Sequence, residues 1–458
     1  MRKLQVHTPI PNTVCRRRSG RLLVPLLIAA AFLTVTPGVQ SAHADQPWQA
    51  SLPSNFQQDF MWGTASSGFQ SEGSARDSNW TRYVDRGLTE DAAANAVDFF
   101  NRYRQDIQLA KELGTTVYRF SVEWSRVQPA PGTWDENGFA FYDNVVEAIV
   151  DAGMRPMITL DHWVYPGWEV DRGGWKNQSM VGDWLSNATT VVDRYAPYDP
   201  LWITINEPTF YVANEARFGG IGISDIPLMF DRLAQAHSSI YDHIHAVQPN
   251  AMVSSNVAYV PGVNASVDTQ FLDKVAEKLD FVGFDYYLGL SAHNLNILAP
   301  LLANEGWNAP TEPEGIYYAL RHYSRKFPDL PLYIVETGLY TDNGERPDGY
   351  KRDAALRDSV YWVQRAVAEG VNVIGYNYWS LTDNYEWGSY RTRLGLYSVD
   401  VQTDPTLERR PTEAVHAFRE VISDQGVAAD YRPTRAPAVC SLVDPPFSCT
   451  EPATVPGR

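Results

Sequence analysis

The sequence predicts an α/β protein that forms a single (β/α)8 TIM barrel with elaborated loops. Two observations support this prediction. Strand-like and helix-like segments alternate from residue 60 onward, and eight strand candidates can be counted along the chain. Alternation of this kind is typical of parallel βα units, and eight such units close a barrel. The 458 residues are enough for one large domain of this class.

The strand candidates are short runs rich in β-branched and aromatic residues, which is the composition of buried parallel strands. In chain order they are Phe60–Ser66, Thr116–Val122, Pro156–Asp161, Leu201–Asn206, Met252–Val257, Phe281–Tyr286, Leu332–Glu336 and Val373–Trp379.

Helical patterns lie between these strand candidates. Apolar residues at helical spacing form two clear stripes, namely Phe100, Tyr103, Ile107 and Ala110, and Leu356, Val360, Val363 and Val367. Gly114 and Gly370 follow the two stripes, as glycines that end helices do. A final helix is predicted over Pro411–Ile422, after the eighth strand.

The first 44 residues are predicted to be an export signal. Arg16, Arg17, Arg18 and Arg21 form a basic region ahead of the apolar stretch Leu22–Val35, which is too short to span a bilayer comfortably. Ala42-His43-Ala44 matches a cleavage site, so we expect a secreted protein cut after Ala44. The Arg17-Arg18 pair leaves twin-arginine export open beside the general route. The barrel domain is then predicted over 45–425 and a Pro-rich tail over 426–458.

The charge of the chain excludes several kinds of partner. The sequence has 38 basic and 54 acidic residues, and the predicted signal holds six of the basic ones and no acidic one, which leaves 32 against 54 and a net charge of −22. This field repels nucleic acids and anionic membranes. No later segment is apolar enough for a stable membrane anchor. The oligomeric state is not indicated.

The cysteines and histidines indicate a disulfide and no metal site. Cys15 would leave with the signal, whereas Cys440 and Cys449 flank a turn-prone segment of the tail and are predicted to form a disulfide in an exported protein. The close pair His243 and His245 falls in a helical pattern, where residues two apart point to different faces. We therefore predict no metal and no cofactor.

Two glutamates are the candidate catalytic residues. Glu207 and Glu336 each follow a short strand-like run, so each is expected where a buried strand ends and a loop begins. A lone glutamate at a strand end is usually solvated or caps a helix. Two carboxyl groups that flank one bond, however, are the catalytic groups that glycoside hydrolysis requires.

The other predicted strand ends carry side chains that suit a sugar. Sugars present apolar faces and a rim of hydroxyls, so their sites combine aromatic platforms with residues that make paired hydrogen bonds. The candidate substrate-binding residues are Gln70, His162, Trp163, Asn206, Trp379, Glu386 and Trp387. Arg119, at the end of the second strand, could keep a neighbouring carboxylate ionised.

With these residues in view, the chain resembles glycoside hydrolase family 1, the β-glucosidase and β-galactosidase family, from about Leu52 to Ile422. The resemblance rests on the segment Phe60–Gly73, on Asn206-Glu207-Pro208 and on Arg393–Tyr397.

The resemblance implies that Glu207 is the acid/base and Glu336 the nucleophile. It also implies that Arg119 and Tyr287 hold Glu336 and that Trp379 forms the floor beneath the sugar. The non-reducing sugar would be bound by Gln70, His162, Asn206, Glu386 and Trp387.

Two positions depart from the family pattern. Thr337 stands where the nucleophile is usually followed by Asn, and Asp285 stands where Asn usually precedes two tyrosines. Neither change removes a catalytic group, but Asp285 adds an acid near the site that could shift local pKa values or alter aglycone preference.

The expected function is that of an exported, retaining β-glycosidase acting on terminal, unphosphorylated β-glycosyl residues of a glycoside or oligosaccharide. Two alternatives remain open: a transglycosidase that uses the same residues, and a sugar-binding protein without catalysis. The sequence does not decide between glucose, galactose and fucose, and it does not name the aglycone.

Overall fold

A computed structural model describes residues 55–291, 295, 300 and 305–455 of the chain. The predicted export signal lies outside the described residues, as do the last three residues of the tail. Within the described ranges, parallel strands form one curled sheet that helices cover on the outside. The prediction of an α/β barrel is confirmed.

The strands of the barrel lie within about a residue of the predicted runs at most of their ends. They are β1 (Met61–Ala65), β2 (Val117–Ser121), β3 (Arg155–Asp161), β4 (Leu201–Ile205), β5 (Met252–Ser254 and Val257–Ala258), β6 (Val282–Tyr286), β7 (Leu332–Thr337) and β8 (Val373–Trp379). Each pairs in parallel with its neighbours, and β1 pairs with β8 over five residues from Met61 opposite Gly375.

The strand β5 consists of two segments, unlike the continuous strand that the sequence predicted. Its first segment pairs with β4 and its second with β6, so the ring closes through the two residues between them, Ser255 and Asn256. Ser255 Oγ donates to the carbonyl of Ile205 at 2.6 Å, which secures the break against β4. The break releases Asn256 from the ladder and lets its side chain enter the barrel mouth.

The outer layer follows the βα pattern with one exception. The barrel helices are α1 (Phe99–Leu113), α2 (Glu136–Asp151), α3 (Met180–Tyr195), α4 (Ile226–Val247), α5 (Asn264–Asp268), α6 (Gly315–Lys326), α7 (Arg352–Ala368) and α8 (Glu413–Ser423). Shorter helices in the loops are Gly68–Ser71, Asn79–Asp85, Trp124–Val127, Gly167–Arg172, Pro208–Phe218 and Phe447–Thr450. The exception is α5, which is one turn long and is followed only by 3₁₀ turns. No helix of the described chain has both the length and the apolarity that a membrane span requires.

The core has an inner and an outer part. Seven buried residues fill the barrel interior, namely Val117, Met157, Leu201, Ile203, Phe281, Tyr333 and Val335. A much larger apolar layer lies between the sheet and the helices. The packed interior leaves only the carboxyl ends of the strands free for polar side chains, which is where barrel enzymes place their chemistry.

Residues 427–455 form a segment that lies against the barrel and that we call the C-terminal strap. The buried Asp358 of α7 accepts hydrogen bonds from Tyr431 Oη at 2.6 Å and from the Thr434 amide at 2.9 Å. Further along, Arg325 of α6 pairs with Asp444 at 2.6 Å. The predicted disulfide between Cys440 and Cys449 is present and closes a loop within the strap.

Candidate active site

The two candidate catalytic glutamates meet at the carboxyl end of the barrel. Glu207 is the second residue after β4 and Glu336 is the fifth residue of β7; their side chains are buried, with relative exposures of 8% and 4%. One carboxylate oxygen from each, and one from Asp285 of β6, lie within 4.8 Å of one another. Glu207 has a left-handed backbone with φ of 37° and begins the helix Pro208–Phe218. This turn aims its side chain across the barrel mouth.

The Glu336 carboxylate has two direct hydrogen-bond partners. The guanidinium of Arg119, at the middle of β2, donates to its Oε1 atom. The hydroxyl of Tyr287 donates to Oε2 at 2.7 Å. Both predicted supporting residues therefore contact the carboxylate that the sequence assigned to them. Charge-assisted hydrogen bonds of this kind fix the position of a carboxylate and favour its ionised form.

A buried amide network links Arg119 to the rest of the site. Arg119 donates from Nη2 to Asn206 Oδ1 at 2.7 Å, and Asn256 Nδ2 donates to the same oxygen at 2.7 Å. The Asn206 Nδ2 atom lies 3.3 Å from His162 Nε2. Because its carbonyl oxygen is occupied, Asn206 is locked with its amide nitrogen toward His162 and the cavity.

Glu207 differs from Glu336 in its electrostatic surroundings. Burial is the main cause that raises the pKa of Glu207 well above its ordinary value, and the nearby negative charge of Glu336 raises it further. The pKa of Asp285 is also raised well above its ordinary value, by burial first and then by the charges of Glu336 and Glu207. These surroundings favour the protonated form of Glu207, which is the form that a general acid uses.

Gln70, Glu386 and Trp379 form a second hydrogen-bonded group at the carboxyl end of the barrel. Gln70 Nε2 donates to Glu386 Oε2 at 3.3 Å, and Trp379 Nε1 donates to the same oxygen at 3.4 Å. Gln70 is itself oriented by Ser67 Oγ, which donates to its Oε1 at 2.6 Å. Burial raises the pKa of Glu386 to about 8. Paired oxygens and amides in this arrangement can bridge vicinal sugar hydroxyls.

The aromatic residues form a stack around His162. The His162 ring lies between Trp379 and Trp387, with centroid distances of 5.7 Å to each. Trp163 stacks against Trp387 at 4.2 Å and donates its Nε1 hydrogen to the carbonyl of Asn206 at 2.7 Å. Trp163 is thereby partly covered by Trp387, so a direct contact of Trp163 with substrate stays a prediction.

His162 has an unused polar atom. Its Nδ1 atom is buried and has no hydrogen-bond partner among the described residues. Burial lowers the pKa of His162 well below its ordinary value, and the charge of Arg119 adds to the effect, so the ring is neutral. Buried polar atoms are nearly always satisfied in native proteins. The Nδ1 atom of His162 is therefore available to a hydrogen-bonding group that the chain itself does not supply.

The structure brings the predicted catalytic, substrate-binding and supporting residues together at one end of the barrel, and it adds Asn256, which the sequence reasoning missed. Asn256 bridges Asn206 to Asp285, since its Nδ2 atom donates to both side chains. The available signal was the polar run Ser254-Ser255-Asn256 at the end of the fifth predicted strand. Such a run is unusual where a buried parallel strand is expected.

The same carboxylates are also the one set of potential metal ligands found among the described residues. Glu207, Asp285 and Glu336 have the mutual spacing that a cation could bridge. Arg119, however, already supplies a positive charge to Glu336, and burial raises the pKa of Glu207 and of Asp285, which favours their neutral forms. This donor set fits acid/base and nucleophilic chemistry better than coordination of a cation.

Comparison with known proteins points to the family that the sequence motifs indicated. The family model described as glycosyl hydrolase family 1 matches residues 52–260 and 243–427. β-Glucosidase A of Thermotoga maritima is 27% identical over 452 residues, covering 81% of this chain and 98% of that protein. A chloroplastic galactolipid galactosyltransferase of Arabidopsis thaliana is 28% identical over 373 residues, covering 72% of this chain and 58% of that protein.

A solved structure shows the same architecture. The β-glycosidase from Pyrococcus horikoshii superposes with a TM-score of 0.71 at 26% identity, over 82% of this chain and 97% of that one. The family resemblance that the sequence motifs indicated is confirmed. The chain belongs to glycosyl hydrolase family 1 and is a β-glucosidase-like glycoside hydrolase.

Proposed function

We propose that this glycosidase is a retaining enzyme in which Glu336 is the nucleophile and Glu207 the acid/base. The observation that carries the proposal is the approach of the two carboxylates to within 4.8 Å across the site. Retaining glycosidases hold their carboxyl groups about 5 to 5.5 Å apart, whereas inverting ones need about 6.5 to 9.5 Å to admit a water molecule.

In the first step, Glu336 attacks the anomeric carbon while the bond to the aglycone oxygen breaks. Glu207 transfers its proton to that oxygen, so the aglycone leaves as a neutral alcohol. Arg119 and Tyr287 hold Glu336 in place until the new carbon–oxygen bond forms. The product of this step is a covalent glycosyl-enzyme on Glu336.

In the second step, Glu207 acts as a base. It is now ionised and removes a proton from an incoming water, whose oxygen attacks the anomeric carbon and displaces Glu336. Glu336 returns to the ionised state that Arg119 favours. Two inversions at one carbon give net retention.

The proposed substrate is a β-glycoside with an unphosphorylated non-reducing sugar. Glu386 supports this proposal because its hydrogen-bond partners in the described chain are Gln70 and Trp379, and neither is a cation that could pair with a phosphate. Gln70 and Glu386 are suited to bridge adjacent hydroxyls, with Trp379 as the apolar surface beneath the ring. Glucose is the expected sugar; the C4 hydroxyl distinguishes it from galactose, and the C6 hydroxyl distinguishes galactose from fucose.

Transglycosylation is a second candidate function. It would use the same covalent intermediate, with an alcohol or sugar in place of water. The similarity to a plant protein named as a galactosyltransferase supports this second candidate function. Product analysis with added acceptor alcohol separates the two, because a transferase forms the new glycoside even where water is in large excess.

Export belongs to the same proposal. The basic region, the apolar stretch and the cleavage signal of residues 1–44 support secretion of an enzyme that meets its substrate outside the cell.

The test of the catalytic assignment is a pair of variants, each the control for the other. Glu336→Gly should lose the first displacement with every leaving group. Glu207→Ala should retain more activity on a dinitrophenyl glycoside than on a disaccharide, since an activated leaving group needs little protonation; the general-acid contribution lost is about 10² to 10⁴-fold.

Added azide distinguishes the two carboxylates by stereochemistry. Azide should rescue Glu207→Ala by attacking the glycosyl-enzyme, which gives a β-glycosyl azide. In Glu336→Gly, azide attacks the substrate directly and gives the α-azide. NMR of the products reads the configuration, and the reverse pattern would show that the nucleophile and the acid have been exchanged.

A further inference from the structure

Tyr287, the hydroxyl partner of Glu336, lies just outside the sheet. It is the first residue after β6, and its hydroxyl donates to Glu336 Oε2 at 2.7 Å. Its ring packs against the ring of Tyr340, with the centroids 5.3 Å apart. Residues 287–290 belong to neither a helix nor a strand. The strand ladder therefore does not fix this hydroxyl, and its position depends on side-chain packing.

Two small apolar clusters enclose the rings of Tyr287 and Tyr340. The cluster on the barrel side consists of Ala65, Trp379 and Leu394. The cluster on the other side, which we call the loop cluster, consists of Leu288, Leu290 and Ala309. Leu442 of the C-terminal strap packs against the loop cluster. The strap thus reaches the layer that supports the Tyr287 ring.

Main-chain hydrogen bonds hold Leu442 in this position. Its amide donates to the carbonyl of Leu290 at 2.7 Å, and its carbonyl accepts from the amide of Gly262 at 3.0 Å. Beside it, Ser441 pairs with Ser291 in an antiparallel bridge. This part of the strap therefore joins the loop after β5 to the loop after β6 at the carboxyl end of the barrel.

The disulfide closes the loop of the strap that presents Leu442. Cys440 lies two residues before Leu442 and is bonded to Cys449. Cys440 has a left-handed backbone with φ of 59°, which is uncommon for a residue other than glycine, so the surrounding loop has to hold it. The hydroxyl of Ser448 donates to the carbonyl of Ser441, which joins the ends of this loop a second time. The match to the family model ends at residue 427, so the whole loop lies beyond the matched range.

We propose that Leu442 of the C-terminal strap is a positioning residue for Tyr287 and, through it, for the carboxylate of Glu336. This inference rests on the proposed role of Glu336 as the nucleophile. Leu442 supports the loop cluster on one side of the tyrosine ring, and that ring carries the hydroxyl that donates to Glu336. Displacement of a nucleophile costs rate, because reacting atoms must be held about 3 to 3.5 Å apart and aligned. The strap thereby contributes to the geometry of the active site as well as to the stability of the fold.

The experiment follows the first chemical step with a dinitrophenyl 2-deoxy-2-fluoroglycoside at saturating concentration. The fluorine slows both displacements, so the glycosyl-enzyme accumulates and one dinitrophenolate is released per competent active site. The rate constant of that release reports the first displacement, and its amplitude counts the sites. Since misplacement by about 1 Å can cost about 10²-fold and loss of one packing contact should displace the tyrosine by less, Leu442→Ala should lower the rate constant by about 3- to 10-fold. The amplitude should stay unchanged, whereas a merely structural role would lower the amplitude and leave the rate constant as in the wild type.

A double-mutant cycle tests whether Leu442 acts through the Tyr287 hydroxyl. Tyr287→Phe removes a hydrogen bond to a charged group and should lower the rate constant by about 10- to 100-fold. In the Tyr287→Phe background, Leu442→Ala should have little further effect, because the hydroxyl that it positions is absent.

Two further variants serve as controls. Leu442→Met keeps the apolar volume and should retain most of the wild-type rate constant. Val439→Ala truncates an apolar side chain of the same strap that is 61% exposed, and it should leave the rate constant unchanged.

Two results overturn the inference. One is a folded Leu442→Ala enzyme with the wild-type rate constant, and the other is a loss that is equally large with and without the Tyr287 hydroxyl. If Leu442→Ala folds poorly, Cys440→Ser combined with Cys449→Ser takes its place in both measurements, because it loosens the same loop without removing an apolar side chain.

The two proposals fail in different ways. If Glu336 is not the nucleophile, Tyr287→Phe leaves the rate constant unchanged and the azide products show the reverse stereochemistry. If Glu336 is the nucleophile but the strap does not position it, Tyr287→Phe slows the first displacement while Leu442→Ala does not.

Discussion

Replacing Glu386 by Gln should stabilise the protein at alkaline pH and weaken its catalysis. Glu386 is buried beside Gln70 and Trp379, which donate to its Oε2 atom at 3.3 and 3.4 Å. These contacts do not offset its burial, so its pKa rises from the ordinary 4.5 to about 8. A glutamine keeps the accepting oxygen and cannot ionise.

The magnitude follows from proton linkage. Between pH 4.5 and 8 the unfolded chain has lost the Glu386 proton while the folded protein still holds it. Folding stability therefore falls with rising pH at about 1.4 kcal/mol per unit, which reaches about 5 kcal/mol above pH 8. Local relaxation around a buried charge makes the effect smaller than this upper limit. We therefore expect the free energy of unfolding of Glu386→Gln to exceed that of the wild type by about 2 to 5 kcal/mol at pH 8.5 and by little at pH 5.

The assay is the unfolding midpoint in urea at pH 5 and pH 8.5 for both proteins. Glu147→Gln, an exposed position of α2, is the control for loss of a carboxylate in general. On activity, the glutamine lacks both the hydroxyl donor of the protonated acid and, above pH 8, the charge of the carboxylate, so weaker contact with sugar hydroxyls should cost about 1 to 2 kcal/mol, or roughly 5- to 30-fold in kcat/KM. An unfolding midpoint that depends on pH equally in Glu386→Gln and wild type would refute the reasoning.

Three other predictions concern the substrate, the strap and export. A 6-phosphoglucoside should be hydrolysed with lower kcat/KM than the plain glucoside, because Glu386 and its partners Gln70 and Trp379 offer the phosphate no positive charge; the comparison uses matched p-nitrophenyl substrates, and a preference for the phosphate is the contrary result. Replacement of Cys440 and Cys449 by serine should loosen the strap by about 2 to 3 kcal/mol and expose it to limited proteolysis beyond residue 427, with the barrel left intact. Intact mass of protein recovered from the culture medium should show a chain that begins near Asp45, and an N-terminus at Met1 would contradict the predicted cleavage.

Local patterns in the sequence determined the secondary structure and the location of the site. Runs of β-branched and aromatic residues fix the strands because such side chains pack on both faces of a parallel sheet. The carboxyl ends of parallel strands converge at one end of a barrel, so Glu207 and Glu336 had to lie near each other once the fold was recognised. The family motifs around them then supplied the predicted roles.

Tertiary structure alone decided how these groups act on one another. The break in β5 at Ser255 and Asn256, the contact of Asp285 with Glu207 and the stacking of His162 between two tryptophans depend on distances that only barrel closure sets. The docking of the strap on Asp358 is equally non-local, since it joins residues more than seventy positions apart.

The physical reason for this division lies in the range of the interactions. Strand and helix formation depend on neighbours a few residues away, which a sequence displays directly. The pKa of a carboxyl group depends on burial and on charges within about 6 Å, which come from several strands. The sequence therefore identified Asp285 as an additional acid, whereas only the folded chain placed its carboxylate within 4.8 Å of those of Glu207 and Glu336.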